Sequence, residues 1–183
     1  MNSLRNYVLV TAAYWAFTLT DGALRMLVLL HFHKLGYTPV ELAFLFLLYE
    51  FCGILTNLGG GWIAAHMGVN VTLTGGMAIQ IIALAMLSFV NPGWSMIASV
   101  SYVMASQALS GIAKDLTKMS SKSAIKVLLP DDAQSALFKW VAILTGSKNA
   151  LKGAGFFLGG WLLGLLGFVN ALWAMAAALS MFL

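Results

Sequence analysis

Charge is what this chain has least of. Only 9% of its 183 residues are Asp, Glu, Lys or Arg, against roughly 25% in a soluble globular domain. That shortage excludes an ordinary water-soluble fold. The single cysteine, Cys52, excludes an internal disulfide, and its place in an apolar run gives no firm sign of redox compartment. The three prolines, Pro39, Pro92 and Pro130, leave long stretches free to run as unbroken helix. The net charge of +4 is too small for a nucleic-acid binder, and no basic patch with interleaved aromatics accompanies it. No G-x-x-x-x-G-K-[ST] occurs, so no ATP-binding loop is expected.

What is there is apolar. Hydrophobic residues make up 61% of the chain, and the mean hydropathy is +0.89. The composition predicts an all-α membrane protein that crosses the bilayer several times. A bilayer core takes about 20 helical residues, which divides the chain into six segments, over 7–30, 41–63, 71–90, 94–129, 133–166 and 171–183. The first begins like a secretory signal, with Arg5 ahead of an apolar run, but no small-residue cleavage site follows and the pattern continues past Asp21. It is expected to stay as a span. The last run has 13 residues and no closing polar flank. The sixth helix is therefore expected to be truncated, with the chain a fragment of a longer protein.

The few charges are not scattered. Seven of the ten Lys and Arg residues fall between Lys114 and Lys152. Lys114, Lys118, Lys122 and Lys126 recur every four residues. On a 3.6-residue helix each such step drifts by about 40°, so the four span about 120° of one broad face. Lys148 and Lys152 repeat the spacing on the next segment. Segments 1, 2, 4 and 5 carry charge, whereas segments 3 and 6 carry none. A charge facing lipid costs about 2.5–3.5 kcal/mol on insertion scales. Segments 3 and 6 are thus expected on the lipid side, and the other four are expected to bury a face against protein or water. Segments 4 and 5 are longer than the hydrocarbon requires. Their lysine-rich ends either extend as a solvated cytoplasmic face or line a wet cavity for an anion. Lys126 and Lys139, flanking the turn at Pro130-Asp131-Asp132, belong at the interface, and Asp131 and Asp132 can cap the helix that follows. Arg5, Lys126 and Lys139 on one side, with Lys34 opposite, place the N-terminus in the cytoplasm by the positive-inside rule.

Other charges have two readings each. Asp21 and Arg25, an i,i+4 pair, either neutralise each other or bind substrate and protons. Glu50 lies mid-segment among apolar neighbours, and burial of such a carboxyl favours its protonated form. That suits a proton carrier, and a structural hydrogen bond is the alternative. Asp115 balances the lysines beside it. His31-x-His33, read as loop residues, lacks the further ligand that a metal site needs. Gly155, Gly159, Gly160 and Gly164 form overlapping small-xxx-small pairs, the pattern that lets helix backbones approach closely.

The turn between segments 2 and 3 reads Gly61-Trp62-Ile63-Ala64-Ala65-His66-Met67-Gly68-Val69-Asn70. In its spacing it resembles the G-x-x-x-D-R-x-G-R-R signature of the major facilitator superfamily. Gly61 and Gly68 match, while Ala65, His66, Val69 and Asn70 stand where the signature has charge. The charge-based latch usually assigned to that motif is therefore in doubt here. In that superfamily the N-terminal half is a six-helix bundle in which helices 1, 2, 4 and 5 border the pathway, as the charge partition has it. The stretches TDGALRMLVLLHFHKLGYTPVELAFLFLLYEF, GIAKDLTKMSSKSAIKVLLPDDAQ and LFKWVAILTGSKNALKGAGFFLGG resemble the ArsJ-type organoarsenical efflux permeases of the same superfamily. The resemblance covers essentially the whole chain. It implies a secondary transporter of the cell's inner membrane, and no enzyme. The implied substrate is 1-arseno-3-phosphoglycerate, made from arsenate by a partner glyceraldehyde-3-phosphate dehydrogenase. Export of that ester would confer arsenate resistance, with no cofactor and no resident metal. Together with the charge pattern it points to a substrate site at Arg25, Lys114, Lys118, Lys122, Lys148, Asn149 and Lys152, with proton coupling at Asp21 and Glu50 read from their charge and burial, and a gating turn at Gly61 and Gly68 from the motif. A facilitator for a sugar phosphate or a drug is the nearest rival. A membrane-embedded enzyme acting on phosphate esters is the rival of another class, although no Ser/His/Asp set or catalytic carboxylate pair supports it. A non-functional fragment is the third.

Overall fold

Helix α4 (Val69–Ser88) and helix α5 (Met96–Leu128) are joined by a ladder of short polar contacts that sets their register against each other. Ser120 Oγ donates to Thr72 Oγ1 at 2.6 Å, Ser110 to Gln80 Oε1 at 2.8 Å and Ser106 to the Ala83 carbonyl at 2.8 Å. As residue numbers fall on α5 they rise on α4, so the two helices are antiparallel. Hydroxyls and amides placed between apolar helices act as glue where hydrophobic burial alone would not choose a partner. The computed structural model describes the backbone over 2–128 and 134–183, and the side chains over 8–63, 66–124 and 138–183. The expectations for Arg5, Lys126, Asp131 and Asp132 lie outside those side chains.

All the regular structure among the described residues is helical. α1 runs Asn2–Lys34, α2 Pro39–Leu45, α3 Leu47–Met67 and α6 Gln134–Ser180. Among the described residues, four stretches are long and apolar enough to cross a membrane, over Pro39–Ile63, Val69–Ser88, Met96–Ala124 and Phe138–Ser180. α1 is not one of them, since its threonines, Asp21 and Arg25 dilute its apolar face. Their side chains turn inward, where Thr11, Thr18, Thr20 and Asp21 are all buried.

The helix boundaries depart from the six segments in three places. Segment 2 is interrupted at Phe46, which caps α2 before α3 begins. α2 itself starts on a capping box, with Thr38 and Glu41 bonding each other's backbone N–H and Pro39 in the first turn. The histidines His31 and His33 are helical, in the last turn of α1, not in a loop. Segments 5 and 6 form one long helix broken at Gly167, whose φ of 76° and ψ of 178° only glycine adopts freely. This gives α6 two limbs, 134–166 and 168–180.

Close backbone approaches fix how the helices run. Gly22 lies against the backbone of Lys152 and Gly155, Gly155 against Leu19, and Gly159 against Ala23. Farther along, His31 stacks on Phe168 with ring centroids 3.8 Å apart. The order is the same on both helices, so α1 and the first limb of α6 are parallel. α3 and α5 are parallel too, because Gly111 meets Tyr49, Gly53 meets Asp115 and Gly60 meets Met119. Asp21 meets Tyr49 while Arg25 approaches Phe46, which makes α1 antiparallel to α2 and α3. Successive long helices thus alternate in direction, as consecutive membrane crossings must. One cleft is lined by His31, Tyr37, Asn91, Pro92 and Trp94, so the 35–38 turn, the 89–95 turn and the Gly167 break share one end of the bundle.

The uncharged elements pack on one side only. α4 buries Leu73, Met77, Leu84 and Leu87 and exposes Val71, Ile82 and Phe89. The second limb of α6 buries Ala171, Leu172, Met175 and Leu179 and exposes Trp173.

Candidate anion site

Charged groups from α1, α3 and α5 meet around one aromatic ring, and a lysine of α6 lies within electrostatic reach of them. Tyr49 is fully buried, and its hydroxyl donates to Asp21 Oδ1 at 2.6 Å. The Arg25 guanidinium lies 4.1 Å from the centre of that ring and Lys114 Nζ 4.3 Å, both within cation–π range. Arg25 and Lys114 also share the carboxylate of Glu50. Arg25 Nη2 donates to Oε1, and Lys114 Nζ donates to Oε2 at 3.3 Å. Behind Lys114, Asp115 pairs with Lys114 at 3.5 Å and with Lys118 at 3.1 Å, and Lys118 reaches Asn57 Oδ1 at 3.5 Å.

Local sequence explains the convergence. Gly111 and Gly53 let α5 come close to α3, and a Cβ on Gly53 would sit 2.7 Å from Asp115 Oδ2. Gly22 does the same between α1 and α6, where a Cβ would sit 2.7 Å from the Lys152 carbonyl oxygen. Helical side chains lean toward their own N-terminus. Lys114 therefore leans back along α5 toward Tyr49 and Glu50. At 1.5 Å per residue, Arg25, Glu50, Lys114 and Lys152 lie roughly 13–27 Å from the end that carries the 35–38 turn. In a hydrocarbon core of about 30 Å this range runs from near the middle, at Arg25 and Glu50, toward the far side, at Lys114.

Neither the protein-family models nor the curated proteins compared with the chain match it. The site is therefore described by its own chemistry. Lys152 lies within electrostatic reach of Asp21, Arg25, Lys114 and Lys148. Lys148 and Lys152 are half-buried and form no ion pair among the described residues. With every group ionised, five cations (Arg25, Lys114, Lys118, Lys148, Lys152) stand against three carboxylates (Asp21, Glu50, Asp115), an excess of two positive charges. Arg25 Nε is buried without a partner, which leaves a donor unspent. Such an arrangement can take an oxyanion. Among the described residues no group of three or more His, Cys, Asp or Glu lies together as a metal site requires.

Two of the expected pairings take a different form. Asp21 and Arg25 do not neutralise each other across one helical turn. Asp21 bonds Tyr49 and Arg25 bonds Glu50, because α3 offers each a partner with better reach. Glu50 is not among apolar neighbours either. Its side chain is 56% exposed and bridges cations from two other helices.

The remaining expected residues lie outside this cluster. Lys122 is half-buried two turns beyond Lys114 on α5, with no ion pair among the described residues. Asn149 is exposed on α6. Gly61 sits 3.4 Å, measured from an added Cβ, from the Met119 side chain, and Gly68 starts α4 with a φ of 83°. Gly68 forms the α3–α4 turn, and Gly61 lies within α3, one turn beyond Asn57. Tyr49, Gly22 and Gly53 were not foreseen as site residues. The sign of Tyr49 in the sequence is its place beside Glu50, two polar residues together in the apolar run LAFLFLLYEF.

Proposed function

We propose that this chain is the six-helix N-terminal half of a major facilitator-type transporter, and that it exports a small organic anion across the inner membrane. The anion with the best fit is 1-arseno-3-phosphoglycerate. The observation that carries this reading is the excess of two positive charges gathered from four helices within the bundle. Uncompensated charge in a membrane protein requires an anion or water. Lysine, a point charge with three donors, suits phosphate and arsenate oxygens. Alternating helix directions and a 47-residue α6 divided at Gly167 are compatible with six crossings.

The ester has two anionic groups. One would meet Arg25 and Lys114 and the other Lys148 and Lys152, with Lys118, Lys122 and Asn149 toward the cytoplasmic approach. We assign coupling to the proton gradient, through the carboxylates of Asp21 and Glu50, and transport to rocking of this bundle against a second one. Gly61 and Gly68 would flex the α3–α4 turn as it rocks. Supply of the substrate would fall to a glyceraldehyde-3-phosphate dehydrogenase.

Uptake into everted vesicles carrying the protein tests the reading. Accumulation of the arseno-ester above arsenate and phosphoglycerate is the expected result. Equal, background accumulation of all three would end it.

A further inference from the structure

Glu50 stands where a ligand would stand. Its two oxygens engage two cations from different helices, Arg25 on α1 and Lys114 on α5. Its side chain is 56% exposed, whereas those of Arg25 and Lys114 are 22% and 19% exposed. The carboxylate therefore lies on the open side of the pair and covers it. Asp115, the other carboxylate on Lys114, is 6% exposed and approaches from behind. The two carboxylates differ in place: Asp115 is buried among the helices, and Glu50 is exposed at the opening.

We propose that Glu50 is a tethered, displaceable counter-ion, a stand-in for the anionic group of the substrate that the substrate must push aside. This deepens the anion-transport reading and rests on it. The chemistry of the two occupants is the same: two oxygens sharing one negative charge or more, against one guanidinium and one ammonium. A side chain held by the backbone competes at an effective concentration in roughly the millimolar range or above. An incoming anion must outbid it, and it does so with oxygens for Lys148 and Lys152, which Glu50 leaves without an ion pair. The site thereby rejects stray monoanions and carries one positive charge fewer when empty than it would without Glu50. It also releases its ligand readily, because Glu50 returns to the cations as the ligand departs. Glu50 links α3 to α1 and α5 only while the site is empty, so occupancy loosens one contact between helices of the same bundle.

A merely structural ion pair predicts that its removal weakens both the fold and the site. A displaceable counter-ion predicts a gain. Isothermal titration of the purified chain in detergent at low salt, with pyrophosphate as the probe, separates them. Glu50→Gln is expected to bind pyrophosphate about 10-fold or more tightly than the parent, since one competing charge-assisted contact is gone. Glu50→Asp keeps the charge but is too short to bridge both cations, and is expected to fall between the two. If the parent binds and Glu50→Gln binds no better, the counter-ion role is wrong while the anion site stands. If Glu50→Gln does not fold, an unchanged affinity in Glu50→Asp overturns the role in the same way. If neither parent nor variants bind pyrophosphate, the anion site and the inference built on it fall together.

Discussion

Tyr49 donates its hydroxyl to the Asp21 carboxylate at 2.6 Å across 28 residues of chain, and both side chains are buried. The same ring that holds the acid supports the Arg25 and Lys114 cations on its π system. Tyr49 thus sorts the cluster, with its hydroxyl toward the carboxylate and its ring toward the positive groups.

Removing the hydroxyl and removing the ring are separable. Tyr49→Phe keeps the platform and leaves a buried carboxylate without its donor, at a cost of about 1–3 kcal/mol. Tyr49→Leu adds the loss of two cation–π contacts, each about 0.5–2 kcal/mol. Thermal melting of the purified protein in detergent is expected to rank parent, Phe and Leu in falling order. A Phe variant that melts with the parent would show that the hydrogen bond adds nothing.

Glycines divide in the same way into those that something touches and those that nothing does. An added Cβ on Gly159 would overlap the Ala23 carbonyl, and one on Gly155 the Leu19 carbonyl. On Gly153 and Gly164 it would meet open space. Gly159→Ala is expected to force α1 and α6 apart and to cost about 1–3 kcal/mol. Gly164→Ala is expected to be neutral, or stabilising by up to about 1 kcal/mol through helix propensity. Melting temperatures of the two single variants check this, and equal values would mean that the small-residue seam carries no packing.

Much of this arrangement is legible in the sequence, and its limits have physical causes. The glycine seam of segment 5 announced a close helix contact, and the charge partition separated α1, α3, α5 and the first limb of α6 from the uncharged elements. Periodicity alone sets which residues share a face, but not which helix that face meets. That is why Asp21 and Arg25 read as a pair when α3 supplies a separate partner to each. Tyr49 was hidden because an aromatic in an apolar run carries no sign of the cations above it. The end of segment 5 at residue 166 falls at the Gly167 break, while the next limb starts at 168 and not 171, since Phe168 and Val169 continue the apolar pattern directly after it.

His31 gives the protein a pH response outside its membrane segments. It lies beyond residue 30, stacked on Phe168. Burial first, and then the charge of Lys34, lower its pKa from the usual 6.5. A depressed imidazole binds fewer protons folded than unfolded, so stability rises with pH across the window between the two values. It is complete above pH 6.5 and falls as the pH drops toward the folded value. His31→Phe, which keeps the stack and cannot titrate, is expected to flatten the fall in melting temperature between about pH 7.5 and about pH 5.5 (about one unit either side of the usual value). An unchanged slope would assign the acid sensitivity to another group.

The lysines carry the functional reading, and they do so unequally. Lys114 and Arg25 form the cluster around Tyr49, and Lys152, with Lys148 within reach of it, lies within electrostatic reach of that cluster. Lys118 belongs to it through Asp115, while Lys122 lies two turns beyond Lys114 on the same helix. A hydrogen bond to a charged group is worth about 1.5–3 kcal/mol, so losing one weakens anion binding by about 10- to 150-fold. Lys→Gln keeps length and removes charge. Lys114→Gln, Lys148→Gln and Lys152→Gln are expected to lose arsenate resistance in cells that still place the protein in the membrane at the parent's level. Lys118→Gln is expected to lose less, because Asp115 still holds Lys114. Lys122→Gln is expected to lose least. A cytoplasmic face that is only solvated makes the opposite forecast, with every lysine equivalent and dispensable. Should all five variants protect cells as well as the parent, the cluster is a packing device, and the anion site is gone with it.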